Sequence, residues 1–334
     1  MKFTLVTLFI KIGVAMAGLI SGHNATAASC IPISLSSTIT IPPIMVQRDV
    51  PIGTRIGSAS LPAKQIYRCS GASTLGTDIG IKAYGTKVAT APTAASLFST
   101  NMPGISYSVE ATTASGYIFA ISGQNDFFHL YWNSAAGDSE YLKNAVIGFG
   151  VGIYKTGPTG TGVVSAKQVG AGIANVDNVW QKEHDVFISS FNVTTLACAI
   201  SAISASNISV PLGDVLATKF TGVGATPVTK GFNLGLNCDA NAKVNVSLSG
   251  TANSDIANSD ILALTNAGTA GVADGLGVQI LYNGAPLKRD TNLLLKTSAG
   301  GVETLPFSAR YYQTKSTVKP GKANATATLN LTYQ

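Results

Sequence analysis

The chain has 334 residues, of which 46% are hydrophobic and only 11% charged, with 35 glycines and 7% aromatic residues. A composition rich in Thr, Ser, Val, Ala and Gly suits short strands and tight turns rather than long helices. The formal charge is +6, but it is spread along the chain without a Lys/Arg run or a basic helix, which excludes a nucleic-acid partner.

The first 28 residues read as a removable leader. Lys2 and Lys11 form a positive start, residues 12–20 an apolar centre, and Ala25-Thr26-Ala27 a small-residue cleavage site. The apolar centre is too short to span a bilayer, and no later stretch reaches that length. The sequence therefore predicts export. Four cysteines, Cys30, Cys69, Cys198 and Cys238, fit an oxidising compartment. Three pairings are possible. The separations of 39 and 40 positions favour Cys30–Cys69 and Cys198–Cys238, one bridge in each half. Each would stabilise its half by roughly 4 kcal/mol on the chain-entropy view. A zinc site is the alternative. It would have to manage without a CxxC pair and with only His23, His129 and His184, so no metal or cofactor is expected.

From residue 29 to about 195 the chain breaks into short apolar runs separated by Gly, Pro and Ser. They fall at 39–46 (interrupted by Pro42-Pro43), 65–69, 79–84, 105–110, 117–121, 127–132, 146–154, 163–169 and 185–191. Many short strands at this pitch predict an all-β sandwich or barrel. Gly148-Phe-Gly-Val-Gly152 lacks the third glycine of a dinucleotide loop and reads as a glycine-containing strand. Glu183-His184-Asp185 sets acids beside an imidazole, but neighbouring residues on a strand point apart. A solvated turn before Val186 is the expectation there. GxSxG, HExxH and Walker A patterns are absent, which argues against an enzyme.

The most distinctive segment of this half is Gly123-Gln-Asn-Asp-Phe-Phe-His-Leu-Tyr-Trp-Asn133. As a strand it would put Phe128, Leu130 and Trp132 on one face. Phe127, His129, Tyr131 and Asn133 would share the other. Amides and acids suit sugar hydroxyls, and rings suit the apolar face of a sugar. Asn125, Asp126, His129, Tyr131, Asn133, Asp138 and Glu140 are therefore candidate receptor contacts, since sandwich domains bind with their end loops. A core strand with a polar outer face accounts for the same residues.

A break near Asn192-Val-Thr-Thr-Leu-Ala197 precedes a second series: Cys198-Ala-Ile-Ser, Ile208-Ser-Val-Pro-Leu212, Phe232 to Cys238, Val244 to Leu248, Leu276 to Tyr282 and Leu305 to Tyr312. Residues 253–274 are polar and Gly/Ala-rich and predict a long surface loop. The chain closes on an unbroken alternation. Ala323, Ala325, Ala327, Leu329, Leu331 and Tyr333 lie on one side, and Asn324, Thr326, Thr328, Asn330 and Thr332 on the other. That is a strand over 323–334 with one apolar face.

This tail, with Gly321 fourteen places from the end and Tyr333 penultimate, resembles the C-terminal signature of pilus subunits of the chaperone–usher pathway. The likeness extends over 198–334. Val50-Pro-Ile-Gly-Thr54, the nearby Cys69 and Lys155-Thr-Gly157 are similar to the N-terminal domains of two-domain fimbrial tip adhesins, type 3 fimbrial adhesins above all, which Met102-Pro-Gly-Ile105 also resembles. The resemblance implies two immunoglobulin-like, Greek-key β-sandwiches: a receptor-binding domain, 29–195, and a pilin domain, 196–334, lacking its last strand. It implies a periplasmic chaperone and an outer-membrane usher as partners. The next subunit would lend the missing strand along Ala323–Tyr333, and a host glycan or matrix protein would be the receptor. Ordinary pilins carry a donor extension before their first cysteine. The mature chain here has one or two residues before Cys30, which implies a place at the fibre tip. A structural fibre subunit with an enlarged N-terminal domain and no receptor is the alternative, and a secreted enzyme on a pilin module a third reading.

Overall fold

Strands dominate the computed structural model, which describes residues 29–70, 78–113, 118–121, 127–132, 146–200 and 208–334. The leader, 1–28, lies outside the described residues. Among the described residues the one helical element is a 3-10 turn at Ala217–Lys219, and no helix is long and apolar enough to cross a membrane. The fold is all-β, as the composition and short apolar runs predict.

In the first half two sheets face one another. One runs Arg55–Ser60, Val146–Lys155, Ile105–Thr113, Ser96–Ser99 and Lys87–Thr90. The other runs Phe127–Trp132, Asp78–Ala83, Lys167–Val176, His184–Ile188 and Ser36–Ile39, the last pair parallel. Ile79 and Ile81 from one sheet and Val109, Phe149 and Val151 from the other belong to one buried cluster. The Cys30–Cys69 bridge ties Ser29–Pro32 to Tyr67–Ser70. The glycine-rich run is part of the ten-residue strand Val146–Lys155. A side chain at Gly148 would meet the Leu61 carbonyl at 3.0 Å, so glycine lets the neighbouring chain pass close by.

Three sequence expectations need correction. The run 163–169 is not one strand. Gly162–Val164 pairs with Phe191–Leu196, and Lys167–Val176 begins another sheet. His184 does not sit in a solvated turn but is fully buried at the start of His184–Ile188. The burial of His184, Val186 and Ile188 follows the strand period of two, so the imidazole faces inward with them. Its Nδ1 bonds to the Ser34 carbonyl at 2.6 Å, Ser37 Oγ lies 2.9 Å from Nε2, and the ring stacks on Phe149. Lastly, 253–274 is not simply a surface loop. Ile261, Leu262 and Leu264 are buried, and Leu262 exchanges two backbone hydrogen bonds with Val278.

Among the described residues the second half has two sheets. One runs Cys198–Ile200, Thr229–Cys238, Gly301–Gln313, Leu276–Tyr282 and Ala285–Pro286. The other has Lys243–Gly250 between Leu293–Thr297 and the terminal strand Ala327–Tyr333. Cys198 and Cys238 are bonded across adjacent strands. Leu236, Val244, Val246, Leu248, Leu305 and Phe307 centre a second buried cluster. The first cluster reaches Val193 in the chain and the second starts at Leu196.

Candidate functional site: an apolar groove beside the terminal strand

The terminal strand pairs along one side only. Its register with Lys243–Gly250 runs from Val244↔Tyr333 to Gly250↔Ala327, and among the described residues no strand pairs with its other edge. Burial follows the alternation at most positions. Ala323, Ala325, Leu329 and Leu331 pack half-buried on the core and Tyr333 is buried, whereas Asn324, Thr326, Thr328 and Asn330 are exposed. Ala327, expected on the apolar face, is exposed, and Thr332, expected on the polar face, is half-buried. The strand itself is shorter than 323–334. Residues 322–324 bond instead to the preceding loop, with Thr265 N–H donating to the Asn324 carbonyl at 2.7 Å and Ala273 N–H to the Lys322 carbonyl at 3.0 Å.

Beside that free edge lies a groove of about 1380 Å³. Leu329 and Leu331 form one wall, Val210 and Leu212 line it from the segment that follows Ile200, and Leu234 and Val278 lie between. The Ile208-Ser-Val-Pro-Leu212 run is apolar, yet it has no strand pairing. Ile208 is 40% exposed and Ile200 54%. A core whose apolar lining opens to water beside an unpaired backbone edge is the kind of surface an added strand covers.

At its end the terminal strand meets the first half. Asp49 N–H donates to the Tyr333 carbonyl at 2.9 Å, and Tyr333 N–H donates to Asp49 Oδ2 at 3.0 Å. Arg48 pairs with the Asp49 carboxylate at 2.9 Å, and its guanidinium lies 4.6 Å from the Tyr333 ring centre. Gln47 accepts from Lys243 N–H at 3.0 Å and donates to the Asn241 carbonyl at 2.9 Å. Burial alone would push the Asp49 carboxyl up, but the bonds from Arg48 and from Tyr333 N–H hold it below the usual carboxylate value. The three first-half segments named in the sequence converge here. Gly53 N–H bonds the Lys155 carbonyl, Lys155 N–H the Thr54 carbonyl, and Thr156 N–H the Gly104 carbonyl. Gly104 has φ +76°, and a side chain there would run into the Pro158 carbonyl.

The receptor candidates are placed less fully. Asn125, Asp126, Asn133, Asp138 and Glu140 lie outside the described residues. His129 and Tyr131 lie in Phe127–Trp132, where the register with Asp78–Ala83 shifts between them. That shift interrupts the strict alternation expected of this strand, because a bulge adds a residue on one side of the ladder. A feature missed in the sequence is the hairpin at Lys167–Val176 and Val179–Trp180. Asp177 and Asn178 turn it with φ of 50° and 62°, a left-handed pair suited to Asp and Asn. The signal was there in Asp-Asn flanked by valines. Val179 is 61% and Trp180 54% exposed. Strand direction puts this hairpin at the end away from Asp49, since Lys167 lies nearer the junction and Val176 about 30 Å farther along the strand.

The acid–imidazole run makes no catalytic arrangement. Glu183 accepts from Tyr84 Oη, Asp185 accepts from Gln168, and His184 points inward. Among the described residues no group of three or more His, Cys, Asp or Glu is placed to hold a metal.

Comparison with known proteins places the second half. The family described as "Fimbrial protein" matches residues 188–334. The A chain of the type-1 fimbrial protein of Escherichia coli K12 is 41% identical over 148 residues, 42% of this chain and 79% of that protein. A type 1 fimbrial subunit of Klebsiella pneumoniae is 39% identical over the same length, with the same shares. Among solved structures, the CupB6 tip adhesin of Pseudomonas aeruginosa aligns over 91% of this chain and 94% of its own, at 16% identity and a TM-score of 0.37.

Proposed function

The chain belongs to the fimbrial protein family, and on that premise we propose that it is a tip adhesin, joined to its fibre by a strand that a neighbouring subunit lends to the groove. As a fimbrial protein it is a structural component and not an enzyme, exported and displayed at the cell surface. The observation that carries the proposal is the unpaired edge of Ala327–Tyr333 beside an open apolar groove. Main-chain hydrogen bonds would extend the sheet and alternate side chains would fill the groove. Several medium apolar side chains at roughly 1.5–3 kcal/mol each supply on the order of 10 kcal/mol before ordering costs. A periplasmic chaperone would cover the same edge beforehand, and an outer-membrane usher would assemble the fibre.

The tip position draws on the strand before Cys198. A subunit that lends a strand needs an uncommitted extended segment ahead of its pilin half. Here that segment is Phe191–Leu196, already paired with Gly162–Val164 and parallel to Ile44–Gln47. The first half, 29–195, then serves as the receptor-binding domain and 196–334 as the pilin domain. Receptor contact falls at the end away from the groove, with the exposed Trp180 hairpin as its described part and a glycan or matrix protein as ligand.

The test is a screen of the full chain, its groove filled by an alternating apolar peptide, against a glycan array and a panel of matrix proteins including collagen. Specific binding that Trp180→Ala weakens at least tenfold is the expected result. Absence of binding to every glycan and matrix protein would favour a structural subunit with no receptor.

A further inference from the structure

The free edge of the terminal strand is not open along its whole length. Backbone groups in an antiparallel pair point alternately toward and away from the partner. The Leu248 carbonyl accepts from Asp290 N–H, so Leu248 and, at the same period, Val246 and Val244 turn away from the terminal strand. Their register partners Leu329, Leu331 and Tyr333 therefore turn their N–H and C=O groups outward, as does Ala327 opposite Gly250. Tyr333 shows this directly, because both of its outward groups are bonded to Asp49.

Asp49 thus fills the last rung as a strand one residue long would. Its N–H supplies the donor and its carboxylate stands in for the backbone acceptor. The rung is braced on several sides. Arg48 holds the carboxylate through two nitrogens, at 2.9 and 3.0 Å, and covers the Tyr333 ring. Lys155 Nζ donates to the Arg48 carbonyl, and Arg48 N–H donates to the Leu196 carbonyl at 3.0 Å. The Tyr333 hydroxyl reaches the Cys198 carbonyl at 3.1 Å, fixing the strand end from the other side.

The geometry points to Asp49 as an end stop that sets the register and length of the strand the groove accepts. The incoming strand pairs with Ala327, Leu329 and Leu331 and halts before Tyr333, so that its end abuts the first half at Arg48 and Lys155. This rests on the reading of the groove as a strand acceptor. It adds a residue of the first half, distant in sequence from the pilin half, that selects among lent strands by their reach.

The stop can be tested with the full chain refolded in the presence of lysine-tagged synthetic peptides that alternate valine and threonine. The peptides are lengthened one dipeptide at a time from either end. For the unaltered chain, affinity should rise until the rungs at Ala327, Leu329 and Leu331 are filled. The next dipeptide toward Tyr333 should then change it less than twofold. With Asp49→Ala, that dipeptide should gain roughly fivefold, the worth of about one net hydrogen bond. Asp49→Asn keeps an acceptor and should keep the limit. Hydrogen exchange gives a second readout, with the Tyr333 amide protected in the peptide-free chain and unprotected in Asp49→Ala. Equal gains in the unaltered chain and in Asp49→Ala would overturn the stop, as would an unprotected Tyr333 amide in the unaltered chain. If no peptide of any length binds either protein, the strand-acceptor reading itself fails, and that result is distinct from binding without a length limit.

Discussion

Leu331 and Thr332 adjoin in sequence and differ in what surrounds them. Leu331 lines the groove on the apolar face, whereas the Thr332 side chain is directed toward Asn292. An aspartate at 331 would be stripped of water among apolar walls once a strand covers it, at a cost of several kcal/mol. Leu331→Asp should therefore reduce recovery of the chain with its periplasmic chaperone at least tenfold, and Thr332→Asp should do so far less. Equal recovery of the two would remove the facial argument. His184 gives a pH prediction. Burial pushes its pKa below the ordinary 6.5, against the raising effect of its bond to the Ser34 carbonyl. Lys64 lowers it further and Asp185 opposes that. The unfolded chain takes up the proton first as pH falls, so the stability is complete above about 6.5. It declines as pH drops from there through the folded-state value. The first thermal transition of the full chain should move down between pH 7 and 5, and His184→Gln should flatten that slope. An unchanged slope would mean that the buried ring does not remain neutral. The burial of His184 was legible in the period of Val186 and Ile188, but the charged neighbours Glu183 and Asp185 masked it. The bond from Tyr333 to Asp49 spans 284 positions, and no local pattern encodes such a contact.

At the scale of elements, strands with large side chains on one face were readable and those made of small or polar residues were not. The tail shows the first case, because Leu329, Leu331 and Tyr333 mark a face that period two cannot hide. Arg55–Ser60, Arg-Ile-Gly-Ser-Ala-Ser, shows the second. It is held by pairing with Val146–Lys155, and its own sequence carries little apolar pattern. Ile208–Leu212 is legible as an apolar run, yet it stays outside the ladders. The Cys198–Cys238 bridge joins the short strand Cys198–Ile200 to Thr229–Cys238, next to the carbonyl that receives the Tyr333 hydroxyl. Replacing both cysteines by serine should cost about 2–5 kcal/mol. Thermal unfolding of the peptide-filled chain should show the second half melting earlier and the first half unchanged. If both halves shifted together, the bridge would not be a local element of the pilin half.

Among the described residues the two larger buried clusters divide along the chain between Val193 and Leu196. A fragment of residues 29–195 should fold alone with one cooperative thermal transition, since its core is closed by its own sheets. Residues 196–334 alone should aggregate and be rescued by an alternating apolar peptide, because the groove leaves apolar walls in water. A first half soluble only when joined to the second would contradict the division. The central claim is that the free edge of Ala327–Tyr333 receives a strand, and amide exchange on the full chain tests it most directly. The amides of Thr328, Asn330 and Thr332 face Lys243–Gly250 and should be protected with or without an alternating peptide. Those of Leu329 and Leu331 should exchange freely in the empty chain and become protected when the peptide is bound. If the peptide binds while Leu329 and Leu331 keep exchanging, the strand is added somewhere else and the groove is not the docking site.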